Sequence, residues 1–136
     1  MKQRLTRKSI FGIQPDLAIL IPAAGKGQRI GHKIKPLLNL NGKSMLEWVT
    51  QKALQLTDQV IVAAPEHQLE EFKKLCPNCL CIVGGQSRQD SIERLVASSS
   101  RDYLMVADAA RPFVSIELLG NVYAKAKQCG VAGAFL

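Results

Sequence analysis

Aromatic residues are scarce: one Trp, two Tyr and four Phe make up 5% of the 136 residues. That composition argues against a platform of stacking rings for single-stranded nucleic acid, without excluding it. Long apolar runs are missing too. The longest, Leu17 to Ala24, contains Pro22, whereas a membrane-spanning helix needs about 20 apolar residues. A membrane partner is therefore not expected. The first sixteen residues carry Lys2, Arg4, Arg7, Lys8 and Asp16 but no apolar core of signal-peptide length, so they read as a flexible basic leader of a cytoplasmic protein. Acidic residues are the minority, 11 against 18 basic, for a net charge of +7. Much of that excess sits in the leader, and the remainder favours anionic partners: small phosphorylated molecules or nucleic acid. Four cysteines in a chain read as cytosolic are expected to be reduced thiols and not a disulfide framework. Cys76, Cys79 and Cys81 lack a second pair at zinc spacing and read as buried or half-buried thiols.

What is present is a regular alternation. Leu17-Ala-Ile-Leu-Ile21 is an unbroken apolar run, the pattern of a strand covered on both faces. From Ser44, apolar residues recur at helical spacing (Met45, Leu46, Val49, Ala53, Leu56), with Ser44 and Glu47 spaced as a capping box. Strands are then expected at 59–64, 80–83, 103–107 and 131–136, and helices at 66–75, 86–97 and 116–128. Such alternation implies right-handed crossovers, a mainly parallel sheet sandwiched between helices, and ligands at the carboxyl ends of the strands. Leu136 falls inside an apolar, strand-like run, so a larger domain is expected to continue past it.

Three strand ends carry chemistry. The first strand runs into Pro22-Ala-Ala-Gly25-Lys-Gly27-Gln-Arg29 and then Lys35; small residues there let backbone N–H groups approach a phosphate. The P-loop spacing is absent, and the dinucleotide fingerprint fails because Gly31 comes one residue late. The third strand ends in Gly84-Gly85-Gln-Ser-Arg88-Gln-Asp90-Ser91, which offers a close backbone approach and polar groups for a base or ribose, or simply a capped helix start. The fourth ends in Asp108-Ala-Ala-Arg111-Pro112, where a carboxylate could hold Mg²⁺ beside a phosphate loop. A plain Asp–Arg ion pair is the alternative.

Taken together, Pro22–Arg29, Lys35 with Leu37-Leu-Asn-Leu-Asn-Gly-Lys-Ser-Met-Leu-Glu47, Gly84–Ser91 and Asp108–Pro112 resemble the 2-C-methyl-D-erythritol 4-phosphate cytidylyltransferase family, N-terminal part only, over residues 17–136. The resemblance implies a Rossmann-like nucleotidyltransferase three-layer α/β/α sandwich that transfers a cytidylyl group from CTP, with Mg²⁺, to a small sugar-alcohol phosphate. It implies catalytic roles for Arg29 and Lys35. It gives Ala23, Ala24, Gly25, Gly27, Gly84, Gly85, Arg88, Asp90, Ser91, Ala109 and Arg111 to CTP, and Asp108 to the metal. Ile34 and Pro36 flank Lys35 where the family has proline and glutamine. Family members are homodimers, and the part beyond these residues supplies the dimerising arm, a second metal-binding acid and a second lysine; turnover by this stretch alone is therefore not expected. A ribitol-phosphate or other sugar-phosphate cytidylyltransferase, or a catalytically dead remnant that binds nucleotide, is the competing reading.

Overall fold

The structure, a computed structural model, describes residues 12–25, 29–30 and 33–133. Its centre is β1 (Leu17–Pro22), every residue of which is buried. Parallel to it on one side lies β6 (Val60–Ala64), with β7 (Leu80–Val83) beyond; on the other side lies β8 (Tyr103–Val106). Between β1 and β6 the chain makes two small antiparallel pairs, β2 (Arg29–Ile30) with β3 (Lys33–Ile34) and β4 (Asn39–Leu40) with β5 (Lys43–Ser44). The second pair turns at Asn41-Gly42, both with positive φ, the Asn-Gly signature of a tight hairpin.

Alternation along β1 sorts the core into two layers. Leu17, Ile19 and Ile21 join Val60, Val62 and Ala64 beneath α1 (Met45–Ala53), α2 (Leu69–Leu75) and α4 (Ile116–Cys129). Ala18, Leu20, Ile61 and Ala63 face Leu95 of α3 (Arg88–Ala97) on the opposite side. Each fully buried Leu or Ile stabilises the fold by about 1.5–3 kcal/mol relative to exposure. The α3 layer stops short of the edge strand, leaving Leu104 and Val106 substantially exposed (39% and 42%).

Local chemistry sets the helix boundaries. Glu47 N–H donates to Ser44 Oγ (3.1 Å) and Ser44 N–H to Glu47 Oε1 (2.9 Å), closing the expected capping box. Ser87 Oγ and Ser115 Oγ cap α3 and α4 by accepting from the N–H groups of Asp90 and Leu118. The helix expected over 66–75 is a 3-10 turn, Glu66–Gln68, leading into α2.

Two expectations change. Residues 12–16, placed in a flexible leader, are held: Gln14 N–H donates to Leu56 O (2.7 Å), while Asp16 accepts from Tyr123 Oη and pairs with Lys127 at 3.1 Å. Residues 1–11 lie outside the described residues. Of the strand expected at 131–136, Val131–Gly133 are irregular and Val131 is 81% exposed. A strand requires a ladder partner, and among the described residues β8 pairs with β1 alone; residues 134–136 lie outside that set. Cys76 and Cys81 are buried and Cys79 half-buried. Hydrogen bonding with Cys79 pushes the Cys76 thiol up to about 12.

Candidate functional site

The order β7-β6-β1-β8 contains a reversal: from β1 the chain steps outward to β6 and β7, then crosses back to lay β8 on the other flank of β1. In open parallel sheets, ligands settle at the carboxyl ends of the two strands flanking such a point. Here those ends are Pro22–Gly25 and Ala107–Asp108.

After β1, Ala23 extends the ladder, its N–H donating to Ala63 O at 2.9 Å, and its methyl is fully buried. Ala24 and Gly25 are half-buried; Gly27 lies outside the described residues. Arg29 belongs to β2. Lys35 opens a 3-10 turn (Lys35–Leu37) and is half-buried, with buried Pro36 next to it fixing the backbone of the turn and Leu38 N–H donating to Lys35 O (3.0 Å).

After β7, the two glycines are required by close approach. A Cβ on Gly84 would lie 2.4 Å from Ala24 Cβ and 2.8 Å from Ser91 Oγ; one on Gly85 would lie 2.3 Å from Asp90 Cβ. The space beside Gly84 is therefore filled by Ala24 and Ser91, which locks the loop after β7 against the loop after β1. Ser91 is 1% exposed, and its Oγ accepts from Gly85 N–H at 3.0 Å. Arg94, one turn further along α3, donates from Nη1 to Val83 O (3.3 Å) and Gly84 O (3.1 Å).

After β8, Asp108 caps its own turn. Its Oδ1 accepts from Ala110 N–H (2.8 Å), its carbonyl accepts from Arg111 N–H (3.1 Å), and Oδ2 lies 3.6 Å from Arg111 Nε. The plain ion pair thus exists, but Arg111 is largely and Asp108 partly exposed, and such pairs contribute little by themselves. Ala109 is fully buried and anchors the turn in the core.

A cavity of about 820 Å³ runs between β8 and α4, and its lining brings Arg88, Asp108, Arg111 and Lys52 together. Among the described residues, Gly25, Gly84, Gly85 and Lys35 do not line it. Lys52 escaped the sequence reading. It stands three residues after Val49, on the apolar stripe of α1, and a lysine on such a stripe is the signal that could have found it. Its ammonium donates to Val114 O (2.9 Å) and Pro112 O, and burial holds its pKa below the ordinary lysine value.

Among the described residues, no group of three His, Cys, Asp or Glu side chains is placed to share a metal. Mg²⁺ does not need such a cage, because it keeps several waters and binds through one or two carboxylates plus substrate phosphates. A partly exposed Asp108 at a strand end fits that mode.

A parallel sheet reversing at β1/β8, with small-residue loops at its strand ends, defines an α/β fold of the nucleotide-binding class. The family model described as "IspD: 2-C-methyl-D-erythritol 4-phosphate cytidylyltransferase" matches residues 17–135, and the chain belongs to that family. The Thermus thermophilus 2-C-methyl-D-erythritol 4-phosphate cytidylyltransferase is 38% identical over 117 residues, covering 86% of this chain and 53% of the relative. That of Clostridium botulinum is 32% identical over 126 residues, covering 85% and 56%. The crystal structure of the enzyme from Thermus thermophilus superposes with a TM-score of 0.69 at 36% identity, over 83% of this chain and 50% of that one. A CMP:2-keto-3-deoxy-manno-octonic acid synthetase complexed with CTP shares the fold, with a TM-score of 0.69 at 22% identity over 82% of this chain and 47% of that one. The chain spans about half the length of the curated relatives it matches. Among the described residues, no helix is long and apolar enough to cross a membrane.

Proposed function

We propose that this chain forms the CTP-binding part of a cytoplasmic enzyme that transfers the cytidylyl group of CTP to 2-C-methyl-D-erythritol 4-phosphate, releasing pyrophosphate. The observation that carries the reading is that Arg88, Asp108 and Arg111 line one cavity, which runs along β8 as far as its carboxyl end, in a chain of this family. Assembly as a homodimer belongs to the same reading.

In the proposed reaction, an acceptor phosphate oxygen attacks the α-phosphorus of CTP. The new P–O bond forms as the bond to the departing pyrophosphate breaks. Such transfers are accelerated mainly by alignment and by cancelling negative charge. Arg29 and Lys35 would bring the positive charge that cancels it at the α-phosphate, and Ala23, Ala24, Gly25 and Gly27 are assigned to the phosphate chain. Gly84, Gly85, Arg88, Asp90 and Ser91 form the base and ribose side, where Ser91 and Arg94 hold the glycine pair in place. Ala109 and Arg111 complete the nucleotide contacts. Asp108 would hold Mg²⁺, which supplies further charge neutralisation when bound.

The test is thermal unfolding of the chain with Mg²⁺ and CTP, ATP or GTP in turn. CTP at about 100 times its Kd should stabilise by about 2.7 kcal/mol, with smaller shifts for the purine nucleotides. Equal shifts would refute base reading by the Gly84–Ser91 loop, and no shift with any of them would refute nucleotide binding.

A further inference from the structure

We propose that Lys52 is a positioning residue for the metal side of this site: from α1 it clamps the segment that carries Asp108 and Arg111. The inference rests on the cytidylyl-transfer reading for its ligand, but its geometry stands apart from it.

The segment from Asp108 to Val114 leaves the sheet and leads to Ser115, the cap of α4. Its near limb is anchored by buried Ala109 and by the hydrogen bonds within the Asp108 turn. Its far limb is held to α1 by Lys52, whose Nζ donates to the carbonyls of both Pro112 and Val114. Among the described residues, those two carbonyls accept from no other group, and no carboxylate lies within salt-bridge reach of Lys52. The ammonium is therefore committed to backbone carbonyls. Its place in the last turn of α1, at the negative end of the helix dipole, compensates part of the buried charge. Arg111 directly precedes one clamped carbonyl, and its N–H is tied to Asp108 O at 3.1 Å. Releasing the far limb frees Arg111 first and the Asp108 carboxylate next.

The consequence is specific. Asp108 needs a fixed carboxylate only when a metal joins it to the phosphates, so the clamp should matter to CTP with Mg²⁺ and hardly at all to CTP alone. Groups that orient a metal ligand from outside typically contribute about 10–100-fold in metal affinity.

The experiment compares the 136-residue chain with Lys52→Met and Lys52→Arg. Calorimetric titration with CTP is run with and without Mg²⁺, and amide hydrogen exchange across residues 108–114 is measured without nucleotide. In Lys52→Met the affinity for CTP with Mg²⁺ should fall about tenfold or more, while metal-free CTP changes less than about twofold. Exchange at 109–114 should quicken while β6 and β1 stay protected. Lys52→Arg, which keeps N–H donors, should restore most of both signals, and it carries the test if the Met variant fails to fold. Equal loss of both affinities with a lowered Tm, unrepaired by arginine, would overturn the proposal in favour of a general stability role. If the unsubstituted chain binds no CTP, the functional reading fails by itself. The exchange data then judge the clamp, and unchanged protection at 109–114 overturns it.

Discussion

Adding one methyl group at Gly84 should be costly, and the structure says how costly. An alanine Cβ there would sit 2.4 Å from Ala24 Cβ, 2.8 Å from Ser91 Oγ and 3.4 Å from Ala63 Cβ. The first neighbour is a β-carbon carried directly on the main chain, one residue after Ala23, whose N–H is bonded to Ala63 O, and the second belongs to a side chain that is 1% exposed, so neither can swing away. Overpacking of this kind costs about 1–3 kcal/mol, and a clash against backbone-borne atoms belongs in the upper half of that range. For a chain of this size each kcal/mol is worth about 3–5 °C, so Gly84→Ala should lower Tm by about 6–15 °C in far-UV circular dichroism. Ala24→Gly removes the nearest clashing atom. The double variant should recover at least about 1 kcal/mol relative to additive single effects, within the range seen for contacting pairs. A Gly84→Ala protein melting within about 2 °C of the parent, or a double variant with no recovery, would refute the claim that these loops are packed on each other.

Two further tests probe the amino-terminal end of the sheet. Hydrogen bonding from Tyr123, with Lys127 beside it, holds the Asp16 carboxyl below the ordinary carboxylate value of 3.8. The stability this gives is complete above the unfolded value and is lost as pH falls through the folded one. Asp16→Asn should therefore flatten the fall in Tm below about pH 4, and an unchanged acid limb would contradict that linkage. Buried Thr57 donates from Oγ1 to Leu17 O (2.6 Å) and accepts from Gln59 N–H (3.0 Å). Thr57→Val should cost about 1–3 kcal/mol in urea unfolding, and a loss below about 0.5 kcal/mol would mean water replaces the hydroxyl.

The strands and helices were legible where pattern and burial agree. Leu17–Ile21 reads as a central strand because both of its faces are covered, and Ser44 with Glu47 marks a helix start because the box is a local hydrogen-bond exchange. Val131–Leu136 has the same apolar signature without the same outcome at 131–133, because a strand also depends on a partner that local sequence does not reveal. The Asn41-Gly42 hairpin signal was available and went unread beside the stronger helix that follows it. At the site, residue types and spacing indicated which loops matter but not how atoms divide the work. Ala23 and Ala109 turn their methyls into the core, Ser91 supports Gly85, and the glycine at 84 is required by a neighbouring loop. Lys52 and Arg94 act on carbonyls 60 and 10 residues away, pairings that only the fold creates.

The placement of β8 also has a kinetic side. It lies beside the first strand, yet Leu17 meets Tyr103 only after α1, α2, α3 and two further strands of the sheet have intervened. Contacts so distant in sequence carry a large loop-closure cost and form late. During synthesis, β1, β6 and β7 can join before Asp108 has emerged. Among the described residues β8 then docks as an edge strand with one face half bare, the kind of element drawn from the low end of the local stability range. Of the strand ends that carry chemistry, the one that bears Asp108 is thus built after the one that bears Gly84 and Gly85.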